Sequence, residues 1–188
     1  DPIDNETDAV DALEAQLRDS VRLQCLSDVP LGAFLSGGVD SSAIAALMQQ
    51  ASAPVRTFTV AFEDAGFDES AHAQAVARHL GTQHHELLLT SAETRAVIPD
   101  LPSMYDEPFA DSSQVPTHLV CRAAREHVTV ALSGDGGDEL FGGYNRYLWA
   151  LQVWNTTRRV PHAVRRAAAG MLACASPRSW DVLLRHAG

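Results

Sequence analysis

Lysine is absent from this 188-residue chain, and all 14 of its basic residues are arginine. A phosphate loop of the Gly-Lys-[Ser/Thr] kind is therefore excluded. Cysteine is scarce and odd in number, with Cys25, Cys121 and Cys174 far apart. That excludes a disulfide framework and a CxxC zinc site, and it suits a reducing, cytoplasmic setting. No apolar run approaches the ~18 residues a membrane-spanning helix needs, and no charged-then-apolar segment opens the chain. Neither a membrane span nor a secretory signal is expected. Positive charge is also short, at 14 bases against 24 acids and a net charge of -10, which argues against a general nucleic-acid binder. The deficit is uneven. Residues 1–140 hold 23 acids and 7 arginines, whereas residues 141–188 hold one acid and 7 arginines. Such asymmetry marks a change of role or partner along the chain.

What is present is the balance of a globular protein, with 46% hydrophobic and 20% charged residues. Val10, Leu13, Leu17, Val21 and Leu26 recur near helical spacing and predict a helix over 8–26, with Asp8 as its N-cap. Leu31-Gly-Ala-Phe-Leu35 reads as a short strand, followed by a tight glycine loop and a helix from Ser41. A second strand is expected at 56–62, a helix over 68–80 that stops at Gly81, and a third strand at 85–89. Thr90 with Glu93 forms a capping box for a helix running toward Pro99. A long polar loop is expected at 102–115, a helix from Pro116 to about His127, and a fourth strand at 128–132. The alternation predicts an α/β fold, a doubly wound parallel sheet flanked by helices. Residues 145–188 are helical in composition, interrupted at Pro161 and Pro177.

Two segments carry chemistry. The first strand ends in Ser36-Gly-Gly-Val-Asp-Ser-Ser42. Its glycines let the backbone turn so that amides face one anion, and the following helix adds its positive end. Asp40 inside such a loop would repel phosphate unless a cation lay between them, and magnesium is the natural one. The fourth strand ends in Ser133-Gly-Asp-Gly-Gly-Asp-Glu-Leu-Phe-Gly-Gly-Tyr144, where Asp135, Asp138 and Glu139 supply hard oxygen ligands or a base. Two glycine-acid loops after two strands of one sheet predict a shared site at its carboxyl edge.

Ser36-Gly-Gly-Val-Asp-Ser41 resembles the PP-loop of the ATP pyrophosphatases. With the second segment, the chain resembles the synthetase domain of glutamine-hydrolysing asparagine synthetases. Ser27-Asp-Val-Pro-Leu-Gly32, Phe67-Asp-Glu-Ser70, Leu80-Gly-Thr-Gln-His-His-Glu86 and Asp106-Glu-Pro-Phe-Ala-Asp-Ser-Ser113 agree with this. The resemblance covers roughly residues 10–150. It implies an adenine nucleotide alpha hydrolase-like fold, with a PP-loop domain over 1–150 and a helical continuation over 151–188. Ser36, Gly37, Gly38, Ser41 and Ser42 would hold the pyrophosphate portion of ATP. Leu35, Val60, Ser133 and Gly134 would border the adenosine, and Asp40 and Asp138 would bind magnesium. Asp135 stands where family members carry Glu or Asp and β-lactam-forming relatives carry tyrosine, so it would assist an intermolecular amidation. The substrates implied are ATP, aspartate and ammonia. The intact enzyme opens with a glutaminase domain, and a homodimeric assembly is allowed. This chain has no N-terminal cysteine and no phosphate-contacting lysine, so it looks like a truncated piece, inactive by itself. A related amide ligase acting on a biosynthetic carboxylate, and a nucleotide-binding module without activity, remain the alternatives.

Other features carry blander expectations. His79, His84, His85 and Glu86 cluster, but residues 84 and 85 point to opposite faces of a strand and match no ligand pattern. The cysteines are expected to be buried small hydrophobes rather than nucleophiles. Tyr105, Asp106, Glu107 and Asp111 are loop residues open to either a substrate or a structural role. The basic stretch with Arg158, Arg159, Arg165 and Arg166 could bind nucleic acid, but is expected rather to dock against the remainder of the enzyme or to be a solvated helix face.

Overall fold

The computed structural model describes residues 5–63, 70–174 and 176. The chain divides into two compact units, residues 1–135 and 136–188. The first unit holds helix α1 (Glu6–Gln24), strand β1 (Leu31–Phe34), α2 (Val39–Ala51), β2 (Arg56–Phe62), α3 (Ser70–Leu80) and β3 (Gln83–Leu89). It continues through α4 (Ser91–Val97), the short α5 (Leu101–Met104), α6 (Gln114–Ala124) and β4 (Val130–Leu132). All strand pairings are parallel, in the order β3-β2-β1-β4.

Strand alternation sends neighbouring residues to opposite faces, and the core divides accordingly. Ala33 and Leu35 join Val21, Ala45, Met48, Ala73 and Ala77 from α1, α2 and α3. Phe34 and Phe58 pack instead with Val120, Ala124 and Val128, while Leu89, Val97 and Leu119 form a third cluster with α4 and α6. Helices therefore cover both faces of a parallel sheet, the doubly wound arrangement expected.

The element boundaries carry several corrections. Asn5, not Asp8, caps α1: it has extended backbone angles, and its Oδ1 accepts the Asp8 amide at 2.8 Å. Strand β3 begins at Gln83 because the β2 ladder starts at Arg56↔Gln83, two residues before the expected start. Strand β4 is only three residues long, since the Thr129 and Val130 amides both turn to the Pro30 carbonyl. The segment 102–115 is partly helical, through α5 and the first turn of α6. The capping box is present as read: the Glu93 amide donates to Thr90 Oγ1, and the Thr90 amide donates to Glu93 Oε2 at 2.9 Å. Of the cysteines, Cys25 is half-buried and packs against the first apolar cluster, close to the expectation, whereas Cys121 and Cys174 are exposed. Burial still raises the thiol pKa of Cys25 and Cys121, which disfavours thiolate chemistry at either. Phe67, Asp68 and Glu69, and the Pro177 break, lie outside the described residues.

His84 and His85 do face opposite sides. The Thr57 hydroxyl and His84 Nδ1 share a hydrogen bond of 2.9 Å, while His85 stacks with both Phe58 and His127, which also stack on each other, the His127 ring lying 4.2 Å from that of His85. Burial lowers the pKa of both histidines; His127 and Arg56 add to the effect at His85, and Glu86 partly opposes it at His84. Folded chains thus bind fewer protons than unfolded chains, and stability falls as pH drops below the ordinary value of 6.5 toward the depressed folded-state values. Urea titrations at pH 7.5 and 5.5 should show that loss. His85→Phe, which keeps a ring in the stack and removes a proton site, should make it smaller. An unchanged pH slope in that variant would contradict the assignment.

Among the described residues, no helix is long and apolar enough to cross a membrane. Among the described residues, the second unit holds α7 (Gly137–Phe141), α8 (Asn145–Thr157) and α9 (His162–Cys174), and none of these three helices has a buried residue. Helices α8 and α9 expose apolar side chains, among them Trp149 and Met171, both more than two-thirds accessible. Arg158, Arg159 and Arg166 are exposed, whereas Arg165 is half-buried with its guanidinium 5.8 Å from the Trp154 ring.

Candidate nucleotide site

Strand β1 is flanked by β2 on one side and β4 on the other, so the order of the sheet reverses there. The loops after β1 and β4 leave from adjacent strands at the carboxyl edge, where open α/β sheets bind ligands. The Leu35 amide extends the ladder by donating to the Phe58 carbonyl at 2.9 Å, and the Leu35 side chain is buried. The chain then turns at Gly37, whose φ of +83° lies in the left-handed region, and enters α2 at Val39, two residues before the expected start. A Cβ at position 37 would lie 2.7 Å from backbone atoms of His72 and Ala73, so the loop is pressed against α3.

Two serines close this loop. Ser36 Oγ and the buried Ser41 Oγ are 3.0 Å apart, the Ser36 amide donates to Ser41 Oγ, and the Gly38 amide donates to Ser36 Oγ. The donors left for an anion are therefore not the loop amides of Ser36 and Gly38. They are the first-turn amides of α2, a 13-residue helix whose N-cap, Gly38, offers no side chain. Ser42 adds a second donor: its Oγ is buried and has no hydrogen-bond partner among the described residues. Asp40 lies half-buried in the same first turn.

The second loop meets the first. Residues Leu31 to Ala33 pair with Val130 to Leu132, which brings Ser133 and Gly134 beside the turn. A Cβ on Gly134 would fall 2.7 Å from the Ser41 amide nitrogen and 2.9 Å from the Asp40 carbonyl carbon. The backbone at 134 thus lies directly on the first turn of α2. Asp135 follows, exposed, with its amide donating to Ser133 Oγ at 3.3 Å. Val60, on β2, is half-buried and packs with the third apolar cluster.

Asp138 belongs to the second unit, in the first turn of α7. Its neighbour Glu139 is engaged: the Tyr144 hydroxyl donates to Glu139 Oε1 at 2.5 Å, which holds the carboxyl pKa down and pushes the phenol up. Among the described residues, no group of three or more His, Cys, Asp or Glu side chains could by itself hold a metal. Magnesium needs less, since it takes one or two carboxylates and fills its shell with phosphate oxygens and water. Taken each within its own unit, the carboxylates of Asp40 and Asp138 are hard oxygen donors of the type magnesium accepts, and Asp138's carboxylate lies over the α-carbon of Gly143.

The long loop divides by role. Asp111 Oδ1 accepts the Ser113 amide at 2.8 Å, which lowers the Asp111 pKa and fixes the start of α6. Tyr105, Asp106 and Glu107 line an open hollow of about 360 Å³ with Leu101 and Phe109.

A glycine-bounded loop at the switch point of a doubly wound parallel sheet, met by an acid-bearing second loop, is the architecture of the PP-loop fold. An NH3-dependent NAD synthetase from Campylobacter jejuni shares the fold, with a TM-score of 0.50 at 14% identity over 72% of this chain and 60% of that one. The sequence profile of the asparagine synthase family matches residues 12–185, and the chain belongs to that family. It is 46% identical over 148 residues to a Mycobacterium tuberculosis protein assigned as a glutamine-hydrolyzing asparagine synthetase, covering 78% of this chain and 23% of that one. Against asparagine synthetase [glutamine-hydrolyzing] 1 of Bacillus subtilis it is 38% identical over 166 residues, covering 88% of this chain and 26% of that one. The chain thus spans about a quarter of the length of these relatives.

Proposed function

We propose that this chain is the ATP-binding part of a synthetase that makes asparagine from aspartate, with ammonia drawn from glutamine in the longer protein. The observation that supports this most directly is the contact of Gly134 with the first turn of α2, which joins the two glycine-acid loops at the switch point. The first-turn amides of α2, with Ser42 Oγ, bind the pyrophosphate portion of ATP in the loop that Ser36, Gly37, Gly38 and Ser41 shape around it. Leu35, Val60, Ser133 and Gly134 border the adenosine. Asp40 and Asp138 are the carboxylates that would hold magnesium, which would supply charge neutralisation to the phosphates. Residues 1–150 form the nucleotide domain, and 151–188 continue it.

Amide formation then proceeds in two steps. The aspartate side-chain carboxylate attacks the α-phosphorus, the bond to the β-phosphate oxygen breaks, and pyrophosphate leaves from the positive end of α2. Ammonia attacks the resulting acyl-adenylate and AMP departs, with Asp135, the exposed acid beside Gly134, assisting that step. The setting proposed is cytoplasmic, and the longer protein is proposed to be a homodimer.

Calorimetry tests the nucleotide reading. ATP with magnesium should bind and raise the melting temperature. Asp40→Asn should weaken magnesium-dependent binding by at least the about tenfold typical of losing a supporting group at a metal site. Equal ATP affinity with and without magnesium would refute the bridging role of the carboxylates.

A further inference from the structure

We propose that Gly143 is a positioning residue for Asp138, and that Tyr144 and Arg146 complete the clamp by taking Glu139 out of competition. The inference rests on the reading of Asp138 as a magnesium ligand. Asp138 and Glu139 are consecutive acids; the family resemblance prefers Asp138, whereas residue type alone does not separate them. The structure separates them. Successive residues on a helical turn point about 100° apart, so the two carboxylates cannot share one direction. Glu139 is bound to the Tyr144 hydroxyl at 2.5 Å, and the Arg146 guanidinium lies 3.9 Å over the same tyrosine ring. Tyr144 is held in turn against Tyr147, edge to face at 5.7 Å.

The Asp138 backbone is held by its carbonyl, which accepts the Gly142 amide and, at 3.1 Å, the Gly143 amide. Its carboxylate rests on the α-carbon of Gly143. A Cβ there would overlap Asp138 Oδ1 outright and lie 3.0 Å from its Cγ. Gly143 does not have a positive φ, so its backbone is open to alanine. What an added methyl disturbs is the place of one carboxylate. Glycine at 143 thus sets the carboxylate's position, while Tyr144 and Arg146 hold the turn that carries it.

The 188-residue chain is compared with Gly143→Ala, Asp138→Asn, Asp138→Ala and the Gly143→Ala/Asp138→Ala double variant. ATP titrations with magnesium should show Gly143→Ala weakened by about tenfold or more, near the loss in Asp138→Asn, with ATP affinity in EDTA unchanged. Thermal melts without nucleotide should show Gly143→Ala lowering the melting temperature when Asp138 is present and not in the Asp138→Ala background. If Gly143→Ala fails to fold, recovery of folding in the double variant carries the same conclusion. Wild-type magnesium dependence in Gly143→Ala, alongside its loss in Asp138→Asn, would overturn the positioning role and leave the proposed function standing. Magnesium dependence retained in Asp138→Asn would remove the metal role of Asp138 and this inference with it. Strictly additive melts would overturn the contact itself.

Discussion

Gly37→Ala is expected to lower the melting temperature by roughly 5–15 °C and to abolish ATP binding. Two costs combine at this position. A φ of +83° places any Cβ in the left-handed region, at about 1–2 kcal/mol. That Cβ would also stand 2.7 Å from the Ala73 amide and the His72 carbonyl carbon, backbone atoms near the start of α3 that cannot rotate aside. Overpacking of this kind adds about 1–3 kcal/mol. Relief requires the loop to lift from α3 or the helix to retreat from the sheet, and either moves Ser36 and Gly38 relative to Ser41. The serine hydrogen bonds that shape the loop would go with them. Thermal melts and ATP titration read the two effects separately, and a variant that melts and binds like the parent would refute the packing argument. Gly170→Ala is the internal comparison: it lies within α9, nothing stands within 4 Å of the added carbon, and it should be neutral or slightly stabilising.

The sheet was legible because β2 is a β-branched and aromatic run, β1 and β4 lead into glycine loops, and helical segments separate the strands. Thr90 and Glu93 announced a helix start through side-chain chemistry that is local, and local chemistry survives folding unchanged. Asp8 misled for the same local reason. It is a good capping residue, but Asn5, three residues earlier, takes the cap and leaves Asp8 in the first turn beside the positive helix end. Helices α5 and α7 are four and five residues long, too short for periodicity to register, and tertiary packing decides them. Within the site, Ser36, Gly37, Gly38 and Asp40 could be named from the sequence as parts of a phosphate loop. That the Ser36 and Gly38 amides would be taken up by serine hydroxyls could not, because the pairing depends on how tightly the loop closes onto α2. Glycine at 143 stands in the same case: the pattern marks a close approach without saying which atom approaches.

Gly134→Ala is the sharper test of the site, because it acts where the two loops touch. Glycine at 134 is not required by its own φ; it is required by what lies opposite. The added carbon would sit 2.7 Å from the Ser41 amide nitrogen, 2.9 Å from the Asp40 carbonyl carbon and 3.0 Å from the Asp40 Cβ. Two of these are backbone atoms of the first turn of α2, the turn whose amides are left free for an anion. Strand β4 is anchored to β1 by its ladder, so the loop cannot back away without breaking pairs between Ala33 and Leu132. The displacement must therefore fall on the start of α2 or on Asp135. A shift near 1 Å at groups that orient a reacting ligand costs about a hundredfold. In binding, loss of a hydrogen bond to a charged phosphate should lower ATP affinity by about tenfold or more, while the stability loss, about 1–3 kcal/mol, should leave the chain folded at 25 °C. The Asp135 side chain would be re-aimed by the same movement, so in the longer protein acyl transfer should suffer beyond the loss in nucleotide affinity. Calorimetry on Gly134→Ala, with a melt to establish folding, decides it. Undiminished ATP affinity in a folded variant would mean that the second loop does not help to build the nucleotide site, and the proposed function would lose its principal support.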